Sequence, residues 1–357
     1  MPIPTTPSRP VGDPMTIATT TVPRLPSDTS VDTRSPRELV VAKAPAERAF
    51  LGLTRGSALI VLTVIVLVGL FLTLKALPAL KVAKFSFLTT QAWQPDIHKF
   101  GIAGIITGTV LVALVALVIA FPVALGLSLY ISEVAPAKIR RTLVSLVDLM
   151  AAVPSVVYGL WALEFLQGRT VSVSRWIATW FGWIPIFHVN GSDPSNPVQS
   201  GTIYSASTFI VGIAVSLMVI PILCSVMRES FSQAPLGERE GAYALGATRW
   251  GMIRSVVLPF GKGGMIGGTM LGFGRALGET IVVILIISPV FTVQTHVLQS
   301  GGNTVSGLIA NLVSESSSFG TAALMAAGLS LFALTMIVNF SASAVVARSR
   351  SGAESDG

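Results

Sequence analysis

Between Gly101 and Ser132 the chain carries no charged residue. No other feature constrains the fold as tightly, because a helix crossing the hydrocarbon core of a bilayer needs about 20 apolar residues. Backbone polar groups in lipid have no water to bond, so only helices and closed barrels cross it. Five further stretches share the pattern. Ala58 to Leu74 is uncharged and stops at Lys75, whose stem can snorkel to the interface. Thr142 to Leu163 is apolar except for Asp148, and Gly201 to Met227 is uncharged, with Pro221 as a possible kink. Gly263 to Pro289 holds only Arg275 and Glu279, and Ser316 to Ala347 is uncharged up to Arg348. Six membrane-crossing helices in an all-α polytopic fold are therefore expected.

Composition agrees with this reading. A soluble domain carries about 25% charged residues, whereas this chain of 357 residues has 11%, is 52% hydrophobic, and has a mean hydropathy of +0.74. The net charge of +7 comes largely from Lys and Arg beside apolar segments, where such charges set orientation; no nucleic-acid partner is expected. The single cysteine, Cys224, excludes an internal disulfide. His98, His188 and His296 lie far apart in sequence, in expected loops, and no Cys/His cluster has metal-ligand spacing. No H-E-x-x-H, G-x-S-x-G or G-x-x-x-x-G-K-[ST] occurs, so neither catalytic residues nor a nucleotide-binding loop is expected in this chain.

Residues 1–56 are rich in Pro, Ser and Thr without apolar periodicity, and are expected to form a disordered cytoplasmic tail. A transmembrane domain is expected over 57–348, with a short cytoplasmic tail over 349–357. Lys138, Arg140 and Arg141 follow the second segment. Arg228, Arg239, Arg249, Arg254 and Lys262 follow the fourth. The positive-inside rule then places both termini in the cytoplasm, against the contrary vote of Lys81, Lys84 and Lys99. The outer loop from Gly168 to Ser200 holds Trp176, Trp180 and Trp183, which suit either an interfacial segment or a docking surface.

The long cytoplasmic loop, about 228–262, is patterned like a folded element. Pro235 can start a short helix, with Glu238 and Glu240 in its first turn to complement the dipole. Gly246 can end it in a left-handed cap, and a second helix can run from Thr248 toward Pro259.

Arg275 and Glu279 form a charged pair inside the fifth segment. With the fifth helix starting near Gly263, Arg275 is expected about 18 Å along it, near the bilayer midplane, with both side chains on one face. Burying Arg there costs about 2.5–3.5 kcal/mol, so it should face a cavity or a partner. A guanidinium fork matches the oxygens of a phosphate, and the carboxylate can accept from the protonated oxygen of the anion or hold the arginine. A structural salt bridge between helices is the alternative. Gly264, Gly268 and Gly272, with Gly263, Gly267, Gly274 and Gly278 beside them, allow close helix approach and suit a pathway-lining, subunit-interface helix. Asp148 and Glu164 suit a capped or interface position better than a pathway one.

The loop resembles the EAA loop of ATP-binding-cassette importer permeases, whose pattern is E-A-A-x-x-x-G followed by I-x-L-P. Here the matching residues are Glu240, Gly241, Ala242, Gly246, Val256, Leu258 and Pro259, with Gly241 in place of an alanine and Val256 in place of the isoleucine. Three further stretches resemble the phosphate-specific transport permeases of the PstC-like branch: S-E-V-A-P at 132–136, A-V-P-S-V-V-Y-G-L-W at 152–161, and G-R-A-L-G-E-T at 274–280.

The resemblance implies a type I importer permease fold in the inner membrane of a bacterium, surrounded by lipid. It also implies a homologous PstA-like second permease, a PstB-like ATPase dimer that binds ATP and Mg, and a PstS-like external phosphate-binding protein, so this chain itself needs no cofactor. Glu240, Gly241, Ala242, Gly246, Leu258 and Pro259 would then form the ATPase-coupling element. Arg275 and Glu279 would take part in the movement of inorganic phosphate. Two other readings stand beside this one, an importer for sulfate or molybdate and an ion-coupled secondary transporter.

Overall fold

A computed structural model describes residues 45–191, 193 and 201–350. Contacts divide the chain into residues 1–59 and 60–357. Residues 1–44 of the expected tail lie outside the described residues, as do 351–357 at the other end. From Pro45 the chain is helical, so residues 45–56 belong to α1 (Pro45–Ala83) rather than to the tail. Good helix formers and Glu47 in the first turn favour this early start.

After α1 comes the short α2 (Ser86–Thr89). The strands β1 (Trp93–Gln94) and β2 (Lys99–Phe100) then form an antiparallel hairpin with Trp93 opposite Phe100. This hairpin escapes a hydropathy reading because it is too short for periodicity to show. The charge-free stretch becomes α3 (Ala103–Leu129), which runs into a π turn at Tyr130–Val134.

The third expected span is broken. α4 (Ala137–Ala152) ends where Pro154 holds Val153 extended, at φ −67° and ψ 127°. The chain resumes as α5 (Ser155–Trp161), a π turn at Ala162–Leu166 and α6 (Gln167–Phe181), bent by 87° from α4. Tyr158 Oη donates across the bend to Met150 O at 3.0 Å. Much of the expected outer loop from Gly168 is therefore helix, with Trp176 and Trp180 exposed near its end.

α7 (Thr208–Ser232) crosses with Pro221 inside it and is the most enclosed of the long helices. α8 (Leu236–Ala244) and α9 (Arg249–Met252) follow, then a π turn at Ile253–Val257 and α10 (Leu258–Phe260). The fifth expected span is also interrupted, into α11 (Lys262–Leu277) and α12 (Ile281–Ile286). α13 (Val305–Leu312) is capped by Thr304, whose Oγ1 accepts from Gly307 N–H at 3.1 Å, and α14 (Ser318–Arg350) closes the described chain.

Among the described residues four helices are long and apolar enough to cross a membrane singly, and a fifth crossing forms if the bent pair counts as one. The expected count of six is reached only by reading α11 and α12 together as a broken span. Glycine-rich sequence in α11 and a backbone break at Gly278–Thr280 explain why hydropathy saw one helix where there are two.

α3 and α7 form the most extensive helix pair, with α11 packed against both. Their shared core is built from small and β-branched residues, including Ala113, Ala116, Ala120, Val211, Ala214 and Val215. Small side chains matter here because lipid is as apolar as leucine, so association relies on close packing rather than on water exclusion. A Cβ at Gly272 would lie 2.1 Å from Leu223 Cδ1, which fixes the approach of α11 to α7. A second core joins Ala76, Ala79 and Ala83 of α1 to Phe87, Phe100, Ala323 and Ala327.

Candidate functional site

The break between α11 and α12 sets the site. Arg275 lies in the last turn of α11, where a cation complements the helix dipole, and its side chain is exposed. Among the described residues no hydrogen bond or ion pair holds the guanidinium. Glu279 lies beyond the end of α11 and is 8% exposed. Its Oε1 accepts from Val282 N–H at 3.3 Å, three residues on, the geometry by which a side chain caps a helix start. Its backbone oxygen accepts from Ser306 Oγ at 2.6 Å, which ties the break to the start of α13.

The expected placement of both charges on one helix face is therefore corrected. The i, i+4 geometry requires a continuous helix, and the chain leaves helical geometry between the two residues: Gly278 closes α11, and Thr280, at φ −114°, precedes α12. The structure nevertheless brings the two side chains to one cavity of about 530 Å³ between α7, α11 and α14. Ile222, Gly274, Gly278 and Asn339 line the same cavity. Sequence reasoning missed Asn339, because a single Asn inside a long apolar helix carries no spacing signal. Asp148 and Glu164 are exposed and lie away from this cavity.

The loop residues form a second candidate site. α8 ends in a Schellman motif: Ala247 N–H donates to Ala242 O at 3.0 Å, and Gly246 N–H donates to Tyr243 O at 2.9 Å. Gly246 takes φ +82°, a conformation that an L side chain adopts only under strain. Thr248 then caps α9, its Oγ1 accepting from Gly251 N–H at 3.1 Å. Glu238 lies in the first turn of α8, whereas Glu240 lies beyond it, because the helix starts at Leu236.

Glu240, Gly241 and Gly246 are all exposed and Ala242 is half-buried. Leu236, Leu245 and Trp250 stand out beside them, Leu245 at 92% exposure. Leu258 and Pro259 sit at the far end, where Val257 is buried against the main core. The result is a helical knob with an apolar tip and a buried root. Arg239, on the inner side of α8, pairs with Glu133 at 3.0 Å, a contact between residues too distant in sequence for any local pattern to reveal.

His188 and His296, distant in sequence, meet with ring centroids 5.8 Å apart, and His296 Nδ1 lies 2.8 Å from Pro185 O. Among the described residues no group of three potential metal ligands occurs.

Residues 123–351 match the family model described as binding-protein-dependent transport system inner membrane component. Over 294 residues the chain is 36% identical to the phosphate transport system permease protein PstC 2 of Mycobacterium bovis, covering 81% of this chain and 88% of that protein. It is 34% identical over 311 residues to the phosphate transport system permease protein PstC of Mesorhizobium japonicum, covering 85% and 91%. Among solved structures, one chain of a bacterial ABC transporter involved in the import of the acidic polysaccharide alginate superposes with a TM-score of 0.53 at 18% identity. That match covers 85% of this chain and 99% of the other, and is a likeness of fold alone.

Proposed function

Since the chain belongs to the family of binding-protein-dependent transport system inner membrane components, we propose that it is the membrane permease subunit of an ATP-driven phosphate importer. The relatives named phosphate transport system permease protein support the cargo. The observation that carries the reading is the unpaired Arg275 guanidinium beside the buried Glu279 carboxylate on one cavity of a membrane domain.

Arg275 supplies a permanent positive charge and a planar set of donors that match two oxygens of a phosphate. Glu279, held by Val282 N–H, sets a carboxyl group on the same cavity. It accepts from the protonated oxygen of the anion and moderates the attraction of Arg275, so the ion passes rather than stays. Selective capture belongs to an external phosphate-binding protein, and the cavity acts as a charge filter. Half of the pathway comes from this chain and half from a homologous second permease. The work comes from ATP hydrolysed, with Mg, on a separate ATPase that docks on Glu240, Gly241, Ala242 and Gly246, with Leu258 and Pro259 anchoring the loop. Both termini lie in the cytoplasm under this arrangement.

The test is labelled-phosphate uptake by membrane vesicles holding the whole complex, with ATP inside and binding protein outside. Arg275→Ala is expected to abolish uptake while all subunits remain assembled. Normal uptake by an assembled Arg275→Ala complex removes this residue from the pathway. Uptake of sulfate or molybdate in place of phosphate keeps the machine and changes its cargo, and phosphate uptake without ATP overturns the machine itself.

A further inference from the structure

We propose that Glu133 and Arg239 form a two-position latch that passes movement of α8 to the inner ends of α3 and α7; the inference rests on the reading of α8 as part of the ATPase-docking element. Arg239 Nη1 donates to Glu133 Oε2 at 3.0 Å, and its Nη2 donates to Phe231 O at 2.6 Å. One side chain of the loop therefore grips two spans, through the π turn that ends α3 and through the last turn of α7. That π turn is also held by Arg140, whose Nη2 donates to Ser132 O at 2.9 Å.

Exposed ion pairs of this kind hold little, because water and salt screen them. This one is enclosed: the Glu133 side chain is 3% exposed and that of Arg239 18%. The pair is also incompletely bonded. Glu133 Oε1 and Arg239 Nε are both buried without a hydrogen-bond partner. Buried polar atoms left unpaired are unfavourable, and here the two orphans are a donor and an acceptor on opposite halves of one pair.

They define a second arrangement. Turned side-on, the guanidinium donates through Nε and Nη2 to both carboxylate oxygens, the two-bond geometry that arginine forms with carboxylates. Nη2 then leaves Phe231 O, and the end of α7 is released from α8. The observed arrangement bonds Phe231 O and leaves two atoms empty; the alternative fills those atoms but empties Nη1 and breaks the tie to α7, whose Phe231 O keeps the Ala234 N–H at 3.2 Å. Neither satisfies every group, which is the condition for an element with two discrete states that a docked partner can bias. A lysine at 239 keeps the charge but has no fork and cannot make the exchange.

The experiment uses the complete complex in proteoliposomes with its binding protein, and measures phosphate imported per ATP hydrolysed. Arg239→Lys and Glu133→Gln are expected to assemble, to hydrolyse ATP within about twofold of the parent, and to lower that ratio by about tenfold. A static strut would lower hydrolysis and import together and leave the ratio unchanged, and that result overturns the latch. Should Arg239→Lys fail to assemble, the near-isosteric Glu133→Gln decides alone. Loss of assembly in both assigns the pair a purely structural role and overturns the latch as well.

Leu245→Asp, at the exposed tip, is measured alongside and is expected to release the ATPase. An intact, active Leu245→Asp complex defeats the docking reading of the loop. ATPase loss in Leu245→Asp with an unchanged ratio in the other two variants leaves docking standing and removes the latch.

Discussion

Arg275 was legible in the sequence because a guanidinium inside an apolar segment must meet a cavity or a partner, and it lies on the cavity between α7, α11 and α14. Glu279 was legible as a companion but not as a buried helix cap, because its environment follows from a backbone break that side-chain spacing does not announce. Glycines divide in the same way. Gly108 and Gly126 both sit in α3 and look alike in sequence. A Cβ at Gly108 would lie 2.1 Å from Asn303 O, a backbone atom unable to swing away, whereas one at Gly126 would meet nothing within 4 Å. Gly108→Ala is expected to destabilise the protein by about 1–3 kcal/mol, as forced overpacking does, and Gly126→Ala to raise stability by about 0.5–1 kcal/mol, because alanine favours the helix and meets no neighbour. Thermal unfolding in detergent, followed by intrinsic fluorescence, separates the two.

Gly246, which the loop pattern marked as the end of a short helix, is the left-handed residue that closes α8 and turns the chain into α9. It has open space around it, so Gly246→Ala introduces no clash and only backbone strain, of about 1–2 kcal/mol. That strain is local. The variant is expected to keep the membrane domain as stable as the parent, to exchange α8 amides with solvent faster, and to bind the proposed ATPase partner more weakly. Hydrogen exchange and copurification measure the two effects, and an unchanged α8 exchange rate would show that the cap does not hold the helix. Elements were harder to read where proline or glycine breaks a span. A proline such as Pro154 can break a helix, but the 87° turn between α4 and α5–α6 depends on what each half packs against. The π turns at 130–134, 162–166 and 253–257 have no sequence mark, since each adds one residue to a turn whose side chains look ordinary.

Across the molecule, the two faces of α11 carry different duties. A Cβ at Gly264 or Gly272 would run into Ser230 or Leu223 of α7, while one at Gly263 or Gly267 would meet nothing within 4 Å. The first face is occupied within this chain and the second is open, as a seam toward the proposed second permease requires. Gly267→Leu is expected to fold and melt like the parent yet fail to copurify with the second permease, whereas Gly272→Leu is expected to lower the melting temperature of this chain itself. Retention of the second permease by Gly267→Leu would place the seam elsewhere. The membrane-spanning class, the loop with its glycine cap, and the need of Arg275 for a cavity were all determined by the sequence alone, because each rests on local facts: transfer free energy from water to lipid, a glycine that can take positive φ, and a charge inside an apolar segment. The break that buries Glu279, the meeting of Glu133 with Arg239, and the division of the α11 glycines were decided only by the tertiary structure. Each depends on which distant backbone arrives alongside, and in a membrane, where every apolar face suits the solvent equally well, hydropathy carries no information about that choice.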